Sequence, residues 1–107
     1  MANFDEREKG FENKFKRDEE LRFKATARRN RLLGEWAAGL MGMSGDEVVA
    51  YAKEVVKSDF ERPGDDDVLE KVLGDLQAKG VDSSEHIVRK HMDDLMSEAV
   101  RQIEAGE

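Results

Sequence analysis

The feature that most constrains this chain is its first helical segment, which is too long for the rest of the sequence to cover. From about Asn3 to Leu40 the apolar residues recur at helical spacing without a firm break. A helix of that length runs ~57 Å at 1.5 Å per residue. The helical segments that follow span only ~15–22 residues each. The first four or five turns must therefore project, fold back or be disordered.

The two halves of this segment differ. On a helical wheel Phe4, Phe11, Phe15, Leu21, Ala25, Leu32, Leu33, Trp36 and Leu40 share one face, while Phe23 and Met41 fall off it. Residues 4–20 hold three large apolar side chains, all Phe, among twelve charges. Residues 32–41 are dense in Leu, Trp, Ala and Met. The second half is a core helix, whereas the first is an arm that cannot bury enough surface to stay folded alone. Asn3 and Glu6 have the spacing of a capping box. Acid-before-base pairs four apart (Asp5–Lys9, Glu12–Lys16, Asp18–Arg22 and Glu20–Lys24) support a helix by ~0.2–0.5 kcal/mol each.

Punctuation divides the remainder. After the break at Gly42 to Gly45, Ser44 and Glu47 form a capping box, with Met43 placed to staple against Val48. The apolar face of the second helix is Val48, Val49, Ala52, Val55, Val56 and Phe60, and Pro63-Gly64 ends it. Asp65, Asp66 and Asp67 open a third helix, where negative charge suits the N-terminal dipole. Its face is Val68, Leu69, Val72, Leu73 and Leu76, and Lys79-Gly80 closes it. Asp82 with Glu85, or Ser83, caps a fourth helix that carries Ile87, Val88, Met92, Leu95, Met96, Ala99, Val100 and Ile103.

Four apolar stripes on short connections predict an all-α fold: a small four-helix bundle with a mobile or projecting N-terminal arm. The arm is placed at residues 1–18. The bundle is placed at 19–107, with helices at about 19–41, 45–61, 66–79 and 83–104.

Composition narrows the function. There is no Cys, which excludes disulfides, thiolate metal sites and thiol catalysis. Acids outnumber bases 25 to 18, for a formal charge of −7 that opposes general nucleic-acid binding. No stretch approaches the ~20 apolar residues of a membrane span. The opening MANFDEREKG is too charged for the apolar core of a secretory signal, so a cytoplasmic protein is expected. His86 and His91 are five apart and do not share a helix face, and the Asp65–Asp67 run lacks the spaced ligands of a calcium loop. No metal site is expected. No nucleophile elbow, glycine-rich phosphate loop or apolar-set carboxylate supports catalysis, so the chain is not expected to be an enzyme.

One basic run stands out. Residues 22–31 hold Arg22, Lys24, Arg28, Arg29 and Arg31 with no acid among them. The plain interpretation is a solvated helix face that balances the acids of the arm. The functional ones are a contact with an acidic protein or, less favoured at this net charge, nucleic acid. A nucleotide phosphate is a further version, with Arg28, Arg29 and Arg31 holding it and Trp36 or Tyr51 near enough to stack. The phenylalanine arm has two interpretations as well. Phe4, Phe11 and Phe15 pack on the bundle's own core, or they anchor the arm in a partner's groove.

The stretches Phe4-Asp5-Glu6-Arg7-Glu8-Lys9, Asp18-Glu19-Glu20-Leu21-Arg22-Phe23-Lys24-Ala25 and Ala27-Arg28-Arg29-Asn30-Arg31-Leu32-Leu33-Gly34-Glu35-Trp36-Ala37-Ala38 resemble the zeta subunit (ATPase inhibitor subunit zeta) of the alphaproteobacterial F-type ATP synthase. So do Tyr51-Ala52-Lys53-Glu54-Val55-Val56-Lys57-Ser58-Asp59-Phe60 and Pro63-Gly64-Asp65-Asp66-Asp67-Val68-Leu69. The resemblance covers nearly the whole chain. It implies a protein that binds the catalytic head of the ATP synthase and inhibits ATP hydrolysis. It also implies that the N-terminal segment enters between a catalytic alpha/beta pair and the gamma shaft, while the other helices dock on the head's exterior. Inhibitory strength is not uniform among relatives.

Under that resemblance the expected partner-binding residues are Phe4, Phe11 and Phe15 as groove anchors. Asp5, Arg7, Glu8 and Lys9 would set register by charge. Arg28, Arg29 and Arg31 would meet acidic surface at the groove's mouth. The expected partners are the alpha, beta and gamma subunits, with no nucleic acid, no membrane insertion and a monomeric free protein. The location implied is cytoplasmic, peripheral to the inner membrane. No cofactor is required. A bundle that senses nucleotide by weak ATP or ADP binding is the alternative, and a nucleic-acid-binding bundle the less favoured one.

Overall fold

The structure, a computed structural model, describes the backbone of residues 2–61 and 64–106 and the side chains of residues 19–60 and 64–106. Over the described residues it is all-α, with four helices: α1 Ala2–Leu40, α2 Asp46–Glu61, α3 Asp65–Ala78 and α4 Glu85–Glu104. α1 packs along both α2 and α4, and the pairs α2–α3 and α3–α4 complete the ring. α1 and α3 touch across the bundle, and among the described residues α2 and α4 do not meet. α1 has 39 residues against 20 in the longest of the others. That is ~58 Å of helix against ~30 Å, and the molecule accordingly measures 64 × 25 × 23 Å.

Two helices end by the same device. At the end of α1, Met43 N–H reaches back to Ala38 C=O at 3.0 Å, with Gly42 between them at φ +79°. At the end of α3, Val81 N–H bonds Leu76 C=O at 2.9 Å across Gly80 at φ +77°. Both are Schellman closures, which need a residue in the left-handed region, and glycine enters it without a Cβ penalty. In each, the apolar residue after the glycine (Met43, Val81) packs on the core. The turn also explains Met41, which lies past the helix end and packs on the core although the wheel placed it off the apolar face. Leu40, assigned to that face, is exposed.

At the other ends the details differ from the sequence expectation. The N-cap of α4 is Ser84, not Asp82 or Ser83: its backbone is extended and its Oγ accepts from Ile87 N–H at 3.3 Å. At the start of α2 the observed bond is a backbone one, from Glu47 N–H to Ser44 C=O at 3.3 Å. α3 starts from Gly64 without a side-chain cap bond, and Asp65, Asp66 and Asp67 fill its first turn.

The core is Leu33, Ala37 and Ala38 of α1, Tyr51 and Val55 of α2, Val68, Leu69, Val72 and Leu76 of α3, and Val88 and Met92 of α4. α2 is turned relative to its expected face. Tyr51, Ala52 and Val55 are buried, while Val49 and Phe60 are exposed. The cause lies at the α1–α2 crossing. A Cβ on Gly34 would sit 2.7 Å from Ala52 Cα, so the two backbones approach closely and Ala52 must point at α1. On α4, Ile87 is exposed as well, one residue before the buried Val88.

Candidate partner-binding surface

The basic run of α1 is not one uniform surface: Lys24, Arg28 and Arg31 border a common hollow, whereas Arg29 is buried. Steps of ~100° per residue turn Arg29 inward, between the half-buried Arg28 and the buried Asn30. Arg29 is 2% exposed. Its Nε donates to Asn30 Oδ1 and its Nη2 to Asp65 Oδ1, both at 2.8 Å. Asp66 is held from the other side by Arg89 Nη2 at 3.0 Å. The acidic first turn of α3 is thus clamped by an arginine from α1 and one from α4, in addition to the favourable helix dipole. Asn30 is fully buried, and its Nδ2 has no bonding partner among the described residues.

Arg28 is half-buried and donates from Nη1 to Gln102 Oε1 at 2.7 Å, tying α1 to α4. Arg31 is exposed and pairs with Glu35 at 3.5 Å. Of the three arginines grouped in the sequence, only Arg31 is an open surface group, and Arg29 is an internal tie of the bundle.

The two aromatic residues considered for stacking on a nucleotide lie on different seams. Trp36 faces α4 and stacks on His91, with ring centroids 4.1 Å apart and planes at 23°. Tyr51 faces α3 and donates from its hydroxyl to Asp75 Oδ2 at 2.9 Å, while Lys71 Nζ sits 5.5 Å from the ring centre. Burial, and then the bond to Asp75, push the Tyr51 hydroxyl well above its ordinary pKa. Arg28 and Arg31 border one hollow, whereas Arg29, Trp36 and Tyr51 each face a different neighbour in the bundle. Among the described residues no group of three or more His, Cys, Asp or Glu is placed to hold a metal ion. None of the helices, over those same residues, is long and apolar enough to cross a membrane.

Phe4, Asp5, Arg7, Glu8, Lys9, Phe11 and Phe15 belong to the first turns of α1. Their side chains lie outside the described residues.

The structure adds a surface that the basic run only partly announced. Phe23 of α1 and Phe60 of α2 are 62% and 61% exposed, with ring centroids 6.1 Å apart. Around them the α1–α2 seam opens into hollows lined by Val49, Ala27 and Val56. The signal for Phe23 was its position off the apolar stripe. Phe60 carried no such signal, because it continues the helical spacing of Val49, Ala52 and Val56.

Comparison with known proteins is consistent with this architecture. A family model described as ATPase inhibitor subunit zeta matches residues 1–102. Among curated proteins, none matches. A solved chain described as the solution NMR structure of a protein is 49% identical, with a TM-score of 0.71 over 81% of this chain and 99% of that one.

Proposed function

The chain belongs to the ATPase inhibitor subunit zeta family, and from that premise we propose that it restrains ATP hydrolysis by an F-type ATP synthase by inserting its N-terminal arm into the catalytic head. The role is regulatory and non-catalytic. Residues 1–18 are the inhibitory arm and residues 19–107 the bundle that carries it. The arm enters between a catalytic alpha/beta pair and the gamma shaft, where a helix wedged against the rotor opposes one direction of rotation more than the other.

The observation that supports this most is the disproportion of α1. Its 39 residues outrun helices of 16, 14 and 20 residues, and among the described residues the main core cluster takes Leu33, Ala37 and Ala38 from its second half. Residues 4–20 carry three Phe among twelve charges, too few apolar side chains to bury enough surface alone, so a groove must supply it. In this proposal Phe4, Phe11 and Phe15 are the anchors. Asp5, Arg7, Glu8 and Lys9 select the register, and Arg28 and Arg31 meet acidic surface beside the groove. Arg29 serves by holding the bundle together. No cofactor is needed.

Replacing each anchor phenylalanine by alanine tests the assignment. A residue that fills a groove pocket contributes ~2 kcal/mol or more. The half-inhibitory concentration for hydrolysis by the purified head should therefore rise by roughly 30-fold for at least one of Phe4→Ala, Phe11→Ala and Phe15→Ala. Unchanged inhibition by all three variants would remove the anchor role. The nucleotide-sensing alternative is separated by titrating ATP into the free protein and following amide shifts. The proposal expects no shift changes at millimolar ATP.

A further inference from the structure

Asn30 is a buried polar group that the bundle satisfies at one end only. Arg29 Nε is a donor, so the Asn30 atom it meets at 2.8 Å is the amide oxygen, Oδ1. The other end, Nδ2, is a donor with no bonding partner among the described residues, on a side chain that is fully buried. A buried donor without an acceptor costs stability, and such groups in a native fold call for a reason.

Asn30 also borders a hollow of ≈ 350 Å³ on the α1–α2 seam, next to the start of the described side chains of α1. The apolar walls of that hollow are Phe23, Ala27, Val56 and Phe60. Asn30 is covered as the side chains stand, so a ligand has to part them to reach it. The exposed Phe23 and Phe60 are the ones with room to turn, since exposed side chains change rotamer in ps–ns. The charged residues lining the hollow are Glu19, Arg22 and Asp59, two acids against one base. That balance disfavours a phosphate or carboxylate, and the Nδ2 donor disfavours an ammonium group. The hollow bordered by Lys24, Arg28 and Arg31 has the opposite balance, so the two do not select the same ligand. The chemistry left for the Asn30 hollow is an apolar body with one uncharged acceptor.

We propose that this hollow binds a small uncharged molecule bearing a carbonyl group, whose oxygen accepts from Asn30 Nδ2 while its apolar body lies against Val56, Phe23 and Phe60. Its volume and its apolar lining with a single buried donor are those of a small-molecule site. Arg29 gains a second use here. Held by Asp65, it fixes the Asn30 amide so that Nδ2, not Oδ1, is the end left for the ligand. The site stands on the bundle alone and does not depend on the role proposed for the arm.

The test titrates the isotope-labelled full chain with benzamide, toluene and benzoate and follows its amide shifts. Benzamide carries the uncharged carbonyl, toluene lacks an acceptor, and benzoate carries a charge. The site predicts saturable shifts at millimolar benzamide in the Asn30 side-chain amide and in the backbone amides of Ala27 and Val56. Toluene and benzoate should bind about 5-fold more weakly or worse, the worth of one hydrogen bond. Asn30→Asp keeps an acceptor for Arg29 but puts an acceptor where the donor was. It should weaken benzamide by about 5-fold and leave toluene unchanged. Ala27→Leu fills the hollow from another position, abolishes benzamide binding and carries the test if Asn30→Asp does not fold. Absence of saturable shifts, equal affinity for benzamide and toluene, or shifts that survive Ala27→Leu would each overturn the site. ATP hydrolysis does not enter the measurement, so any of these results leaves the proposed function standing.

Discussion

Arg29 shows how a residue that reads as surface can belong to the interior. In the sequence it sits in a basic run, and nothing local sets it apart from Arg28 or Arg31. Its partner is Asp65, 36 residues away, and the pair forms only when α3 docks on α1. The guanidinium side is 3% exposed and the carboxylate side 59%, so water partly screens the pair. Asp65→Asn should then cost about 1–2 kcal/mol, at the low end for a bond to a charged group. Glu70→Gln on the exposed face of α3 should stay within about 0.5 kcal/mol. Urea unfolding of the two variants checks the difference, and equal midpoints would mean that the bond contributes nothing.

Tyr51 is the other residue whose position carries a measurable consequence, and it is the chain's single tyrosine. Burial and the bond to Asp75 raise its folded pKa above the unfolded value, which is about 10. A raised pKa means that the stabilisation is complete below the unfolded value and falls away as pH climbs through it, because the unfolded chain releases the proton first. Tyrosinate absorbance should therefore appear with unfolding and not as a separate native-state titration near pH 10. Ionisation of the folded protein at the ordinary value would show that Tyr51 is neither buried nor bonded as described.

At the scale of the element, the helices and their breaks were legible in the sequence because local chemistry decides them. Gly42, Pro63-Gly64 and Gly80 mark breaks that a lone chain segment also respects, since a left-handed closure or a missing N–H needs no tertiary partner. What was not legible was rotation. α2 has eight apolar residues spread over a wide arc, and periodicity alone cannot say which of them faces inward. The decision is made by α1, whose Gly34 lets Ala52 approach to backbone contact and so turns Val49 and Phe60 outward. The cap of α4 was ambiguous for a related reason: Asp82, Ser83 and Ser84 are adjacent cap-forming residues, and only the path of the incoming chain selects Ser84. The crossing makes a prediction. Gly34→Ala should destabilise by about 1–2 kcal/mol, since a clash of 2.7 Å with Ala52 Cα outweighs the helix-propensity gain of about 1 kcal/mol. Gly74→Ala, with nothing within 4 Å of its new Cβ, should gain about 0.5–1 kcal/mol. Thermal melts of the two variants moving in the same direction would refute the close approach.

At the scale of the whole molecule, two jobs are divided along one helix. The C-terminal half of α1 supplies Leu33, Ala37 and Ala38 to the core, and the N-terminal half is proposed to act elsewhere. The candidate site was visible in the sequence as an excess: too much helix, too few apolar residues in its first half, and a run of bases in a net acidic chain. The exposed Phe23–Phe60 pair on the α1–α2 seam was not visible, because it depends on how two segments are rotated against each other. A division of labour of this kind has a direct test. ATP hydrolysis by the purified ATP synthase head is measured alone, with the full chain, and with a chain lacking residues 1–18 whose folding is verified by circular dichroism. The account predicts inhibition by the full chain and none by the folded, truncated one. Equal inhibition by both would place the inhibitory element in the bundle and contradict the central claim.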